Sequence, residues 1–332
     1  MALNCTRASA RTIIIMGGGA AGMSCALWLK HLGFVPVLIE PSTALGGQLL
    51  RIHRVNRWIL GIPGRTGPAL AELYGRHIAD EAIEVRLGVR PVSVIAGDSG
   101  FCLDVWEDEN RTVLLSGRAL VIATGLRVNS SDILDSIPGA VPLYESGLLS
   151  FFPLDHLEPL EALDGKRVAV IGGGDNAHFT AKDLAPRTAL THLIIRAGPT
   201  ARPMVRQDVE ALIRQERVRE HAGALITGFS LGSGGITIAF ARNDSNTEQI
   251  EVDRIFARIG FAPNTEFLAE LGPLAGLEMS GDGYLRVDTW KRTSLPFVYA
   301  IGDVVNPGHP SVVTAIADGA VAAMAIAHDV GA

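Results

Sequence analysis

The chain has 332 residues, 48% apolar and 19% charged, with a net charge of −6, which is long enough for two domains of ordinary size. The acidic balance excludes nucleic-acid binding as a default function. Cys5, Cys25 and Cys102 make no C-x-x-C pair, no zinc-ligand spacing and no disulfide framework, so a reduced, cytoplasmic setting without a metal site is expected.

Residues 12–29, "TIIIMGGGAAGMSCALWL", carry no charge and have the look of a signal peptide or membrane span. Gly17, Gly18, Gly19 and Gly22 interrupt that run, and no membrane span is expected. The reading is a β-branched strand over 12–16, a glycine turn, a helix to about Gly33 and a second strand, "VPVLIE" (35–40). Gly17-x-Gly19-x-x-Gly22 suits a pyrophosphate: a tight turn, close backbone approach, and a helix N-terminus opened by Ala20 and Ala21. Glu40 ends the second strand, placed to accept from a ribose. The bland alternative is an ordinary turn with a surface acid.

Strand-like segments follow at "FCLDVWED" (101–108) and "RALVIATG" (118–125). The strand–glycine–helix grammar then returns as "RVAVI" (167–171), Gly172-x-Gly174-x-x-Ala177, a helix to about Leu184 and "LTHLIIR" (190–196). This second strand ends in Arg196, with Arg202 close behind. Arginines there bind a 2′-phosphate that an acid would repel, which favours NADPH with NADH still open; a solvated basic edge is the competing reading. Further strands are "GITIAFARN" (235–243), "VDRIFARIG" (252–260) and "PFVYAIGD" (296–303), and the polar stretches 127–132 and 243–249 read as linkers. The expected fold is α/β, with two Rossmann-like (doubly wound) dinucleotide-binding domains. Residues 129–248 form the NAD(P)H-binding domain, inserted into an FAD-binding domain made of 1–128 and 249–332.

"ALVIATG" (119–125), "IFARIGFAPNTEFL" (255–268) and "TSLPFVYAIGDV" (293–304) resemble segments of two-dinucleotide flavoprotein reductases. Within that group "GGQL" (46–49), "VNRWILGIPGRTGPALAEL" (55–73) and "GGGDNA" (172–177) resemble the low-molecular-weight thioredoxin reductases. The resemblance implies FAD, NADPH and a homodimer. It assigns FAD to Gly17, Gly19, Ala20, Ala21, Gly22, Glu40, Gly47, Gln48, Asn56, Ala123, Thr124, Gly125, Gly302, Asp303, Ser311 and Val312. It assigns NAD(P)H to Gly172, Gly174, Asp175, Asn176, Ala177, Arg196 and Arg202.

The departures bear on function. The place where that family carries C-x-x-C falls here on Asp155-His156-Leu157-Glu158, and carboxylates cannot perform thiol–disulfide exchange. His156 is either a proton donor near the flavin or part of a solvated loop. Cys25, in an apolar helix, reads as packing. "RIHRVNR" adds Arg51, His53, Arg54 and Arg57 near the flavin segment; it suits an anionic substrate, an acidic protein such as ferredoxin, or merely an exposed basic loop. Arg196 is followed by Ala197 where the family often has a second arginine. The expectation is an FAD-dependent NAD(P)H oxidoreductase passing electrons directly to ferredoxin, a quinone, a small disulfide or dioxygen. Its rival is a flavin-binding protein with little turnover that acts through protein contacts.

Overall fold

The computed structural model describes residues 10–52, 54–108, 111–152, 160–242, 247–306 and 308–331. The first of two compact units joins Met1–Arg127 to Ala262–Ala332, and the second is Val128–Phe261. The first opens with β1 (Thr12–Met16), α1 (Ala20–His31), β2 (Val35–Glu40), α2 (Gly67–Asp80) and β3 (Glu84–Leu87). It continues through β4 (Arg90–Gly97), β5 (Gly100–Asp108), β6 (Arg111–Gly117), β7 (Ala119–Ile122) and β8 (Leu126–Val128). The second unit holds α3 (Ser131–Leu134), α4 (Ala140–Glu145), β9 (Leu149–Ser150), β10 (Arg167–Ile171), α5 (Asp175–Leu184) and β11 (Leu190–Ile195). Then come α6 (Pro203–Arg214), β12 (Val218–Ala222), β13 (Leu225–Gly232), β14 (Gly235–Ala241), β15 (Thr247–Val252) and β16 (Arg254–Ala257). The chain returns through β17 (Phe261–Pro263) and finishes with β18 (Val298–Ala300) and α7 (Val312–Val330).

The two units share one plan. The first sheet runs β18-β7-β1-β2-β3 and the second β12-β11-β10-β16-β9, with parallel pairing throughout the registers around β1 and β10. Parallel strands covered on both faces need apolar residues at every position, which is what "TIIIM" and "RVAVI" supply. Ile13 and Ile15 pack with residues of α1 and α7, while Ile14 and Met16 pack with β4 and β5. In the second unit Val168 and Val170 pack with α5, and Ala169 and Ile171 with β13 and β14. Each sheet carries helices on one face and a three-stranded antiparallel sheet on the other, joined in the second unit by α3 and α4, in keeping with two Rossmann-like domains.

The second crossing between units falls at 261/262, beyond the expected 248/249. β16 pairs in parallel with β10 and belongs to the inserted sheet. The polar tract 243–249 was expected to be a linker; instead it runs into β15, paired antiparallel with β14. Residues 243–246 of that tract lie outside the described residues.

Among the described residues, α7 is the one helix long and apolar enough to cross a membrane, yet it serves as a core element of the first unit. Ser311 caps its start, its hydroxyl accepting from Thr314 N at 3.2 Å. Near its end Asp329 accepts from Arg292 Nε at 2.6 Å, Arg292 Nη2 at 2.8 Å and the Tyr299 hydroxyl at 2.8 Å, tying the helix to β18. A β-carbon on Gly319 would lie 2.6 Å from Ala21 O and 2.7 Å from Cys25 N, so α7 and α1 meet backbone to backbone. Residues 12–29 likewise form β1, a turn and most of α1, and no continuous span.

Gly319→Val is expected to destabilise the protein by about 2–3 kcal/mol through overpacking. Gly281→Val, at an open position, should stay within about 0.5 kcal/mol of the parent. Urea denaturation measures both, and equal losses would contradict the tight α1–α7 contact.

Candidate dinucleotide-binding sites

Strand order reverses beside β1 and again beside β10, and in open α/β sheets ligands bind at the carboxyl ends of the strands at such a point. Gly17 stands there with φ +120°. Its N–H donates to Ile39 O at 2.9 Å, and a β-carbon on it would come within 2.3 Å of Ala123 O. Gly172 repeats this geometry with φ +139°, a 2.9 Å bond to Ile194 O, and 2.3 Å between an added β-carbon and Arg258 O. No L-residue fits either position. A β-carbon on Gly22 would strike Gly17 O at 2.0 Å, whereas buried Ala177 is accommodated beside Gly172 in the second turn.

The third function of the motif is open space. Gly19 is the N-cap of α1 and has nothing within 4 Å of its missing side chain; Gly174 caps α5, with only Thr200 Oγ1 near, at 3.8 Å. Neither cap makes a side-chain bond to its helix. The first N–H groups, at the positive ends of the helix dipoles, are therefore left for an anion.

Around the first turn, buried Glu40 accepts from Gly18 N at 2.7 Å through Oε2 and from Ser42 N at 2.9 Å through Oε1. Each oxygen keeps lone pairs for a ribose hydroxyl. Ala20 and Ala21 begin α1. Gly46 N donates to Gly18 O at 2.9 Å, which brings Gly47 against Gly19. Gln48 Nε2 donates to Leu126 O at 2.7 Å. Thr124 Oγ1 donates to Asn264 O at 2.9 Å, and Asn264 N to Gly125 O at 2.9 Å. Gly302, at φ +77°, lies against Ala21 and donates to Asp318 Oδ2 at 3.1 Å; Asp318 is itself paired with Lys291 at 2.7 Å.

Asp303 gives the clearest test of whether this cradle fits a polar ligand. Its Oδ1 is buried without a partner among the described residues. Burial, with the nearby Asp318 charge adding to it, pushes its carboxyl up to about 6, even though Ser311 N donates to it. A ligand hydroxyl donating to Oδ1 removes that cost, so the residues present fit FAD. Ser311 and Val312 start α7 beside it. Asn56 Oδ1 accepts from Trp58 N at 2.9 Å within its own loop.

At the second turn Gly173 O accepts from Thr200 N at 2.8 Å and Ala201 N at 3.0 Å, folding the loop after β11 onto the fingerprint. Asp175 Oδ1 accepts from Arg202 N at 2.8 Å and its Oδ2 from Arg202 Nε at 2.5 Å. Asp175 thus holds Arg202, while Arg196 lies exposed at the end of β11. Asn176 O accepts from Thr180 Oγ1 at 2.8 Å.

Two features escaped sequence reading. Arg258, at the end of β16, donates through Nη1 to Phe151 O at 2.6 Å, through Nε to Thr180 Oγ1 at 3.1 Å, and through Nη2 to Phe152 O; the charge ending the apolar run "RIFA" was its one sequence signal. His178 donates from Nδ1 to Gly174 O at 3.0 Å, leaving Nε2 buried without a partner among the described residues. Cys25 is free and buried, and burial pushes its thiol up, so it is no nucleophile. Cys102 is disulfide-bonded, contrary to the expectation of unpaired cysteines. Cys5, His53 and residues 155–158, His156 included, lie outside the described residues.

Two nucleotide turns on two parallel sheets define a protein with two dinucleotide-binding units. Residues 11–319 match the family model for pyridine nucleotide-disulphide oxidoreductase, and the chain belongs to that family. It is 28% identical over 325 residues to an alkyl hydroperoxide reductase component from Pseudomonas aeruginosa, covering 96% of this chain but only 58% of that protein. It is 27% identical over 330 residues to the thioredoxin reductase of Coxiella burnetii, covering 94% of each. The crystal structure of T. acidophilum thioredoxin reductase shares the fold, with a TM-score of 0.81 at 24% identity over 97% of this chain and 100% of that one. The chain is thus a thioredoxin reductase-like NAD(P)H-dependent oxidoreductase with FAD and NADPH as cofactors.

Asp303 generates a prediction about the cofactor-free protein. A carboxyl raised from 3.8 to about 6 binds its proton more tightly folded than unfolded, so its contribution to stability is lost as pH rises through that window. The denaturation midpoint should fall between about pH 4 and pH 6 on this account, and Asp303→Asn should flatten that part of the profile. An unchanged slope in the variant would refute the buried, unpartnered state.

Proposed function

We propose that this chain is an FAD-dependent NAD(P)H oxidoreductase without a dithiol relay, handing electrons directly to an external acceptor. The observation that carries the reading is where sulfur is found. The chain has no cysteine after residue 102, Cys25 is buried with a raised thiol, and Cys102 is in a disulfide. When bound, the two cofactors supply hydride transfer from nicotinamide to isoalloxazine. The first turn would hold FAD: Glu40 toward a ribose, the α1 N-terminus toward the pyrophosphate, and Asp303 toward the ribityl chain. The second would hold NADPH, with Arg196 meeting the 2′-phosphate. Arg258 would fix the chain at 151–152 beside that turn. A homodimer and an acceptor among ferredoxin, a quinone or another small molecule complete the reading.

A second reading, a flavin-binding protein with weak turnover, draws on one observation: Arg202 is tied to Asp175 and the loop over Gly173 is closed on the turn. Slow bleaching of the flavin absorbance by NADPH would favour it.

A protein carrying Cys5→Ser, Cys25→Ala and Cys102→Ser together should keep NADPH-dependent ferricyanide reduction within about threefold of the parent. Should that variant fold poorly, parent enzyme reduced with a phosphine, alkylated with iodoacetamide and freed of both reagents is expected to retain turnover. Abolished turnover in a folded, FAD-loaded sample of either kind would show that sulfur takes part.

A further inference from the structure

We infer that residues 54–66 form a docking surface for an acidic electron-carrier protein. The inference rests on the reading that electrons leave this chain directly for an external acceptor. The loop is built, with its ends closed. Gly67 N donates to Ile52 O at 2.7 Å and Asn56 N to Arg65 O at 2.7 Å, and residues 56 and 65 form an antiparallel bridge. Asn56 Oδ1 turns the chain by accepting from Trp58 N. Ile59 and Ile62 pack inward on Leu49, Leu70 and Ala71.

That anchoring holds the intervening side chains outward. Trp58 is 80% exposed and Leu60 100% exposed, with Val55 and Ile52 also exposed beside them. A tryptophan and a leucine fixed in water by an ordered neck, rather than folded onto the core they adjoin, mark an interaction site.

Charge selects the occupant. Between Pro41 and Ala71 there is no Asp or Glu, and Arg57 and Arg65 stand exposed there; Arg51 and Arg54, in the same stretch, have contacts of their own. The chain as a whole is at −6, so this patch is a local inversion of sign. A small acidic protein covers such a patch alone. An anionic bilayer extends past it and faces the acidic remainder within a Debye length of roughly 8 Å.

The patch also adjoins the first nucleotide turn. The loop leaves the short helix Gly47–Arg51, whose Gly47 lies against Gly19. A partner seated on the loop therefore stands on a wall of the cradle. The overall exchange balances as one NADPH giving one electron to each of two one-electron carriers, with NADP⁺ and a proton released.

The test measures binding of the FAD-loaded chain to two acidic probes, a [2Fe–2S] ferredoxin and a flavodoxin, by titration calorimetry at low and high salt. Affinity for at least one should fall about tenfold between 20 and 200 mM salt. Arg57→Glu with Arg65→Glu, and separately Trp58→Ala with Leu60→Ala, should each weaken it by at least about tenfold. NADPH-dependent ferricyanide reduction should stay within about twofold in every variant.

Binding of neither probe, or equal binding by parent and variants, overturns the inference. It is also overturned if the variants lose only adhesion to phosphatidylserine vesicles, or only self-association in sedimentation; the loop would then serve a membrane or a second copy. A parent protein unable to reduce ferricyanide would count against the electron-transfer reading instead, and the calorimetry reports on docking separately.

Discussion

Both halves of the molecule depend on a contact that only a hydrogen atom in place of a side chain permits. At Gly17 and at Gly172 the backbone leaving a parallel strand passes so close to the neighbouring strand's carbonyl that a β-carbon would sit 2.3 Å from it. That closeness lets the chain reverse into a helix while the adjacent strand end stays in place. It aims the first N–H groups of α1 and α5 into open space above the sheet. The rest follows from it: two helix N-termini without side-chain caps, each at the point where strand order reverses, each suited to a pyrophosphate.

The two turns then diverge through the residues at the ends of their second strands. Glu40 is buried and fixed by two backbone donors, a rigid acceptor for a ribose. Arg196 is exposed and Arg202 is engaged by Asp175, so on the proposed reading a phosphate there would be the more weakly held. Asp303 adds a buried lone pair with no partner among the described residues, a cost the protein carries until something donates to it. One rigid, desolvated cradle and one turn edged by an exposed arginine would suit a resident cofactor and an exchanging one.

Sequence reading reached this arrangement where a single residue's chemistry decides the backbone. Positive φ at Gly17 and Gly172, the apolar runs 13–16 in β1 and 168–171 in β10, and the acid at 40 are local necessities and leave a local trace. It fell short where tertiary context decides. The polar stretch 243–249 has the composition of a linker yet leads into a strand of the inserted unit, because β16 completes the sheet beside β10. The antiparallel sheets on the outer faces share their alternation with any half-buried strand, so their place against the parallel sheets could not be read. The grips of Asp175 on Arg202 and of Arg258 on residues 151 and 152 join positions far apart in sequence and without spacing signals. The disulfide of Cys102 was not legible either, since wide cysteine spacings show no framework and bonding between distant cysteines leaves no mark at either one.

On the proposed reading, what would separate this chain from an enzyme with a dithiol relay is how many electrons it can store. An anaerobic titration of the FAD-loaded protein with NADPH, followed by flavin absorbance, counts them directly. With the flavin as sole acceptor, bleaching should be complete at about one equivalent of NADPH per flavin. An endpoint near two equivalents, with the second consumed by a disulfide, would contradict the account.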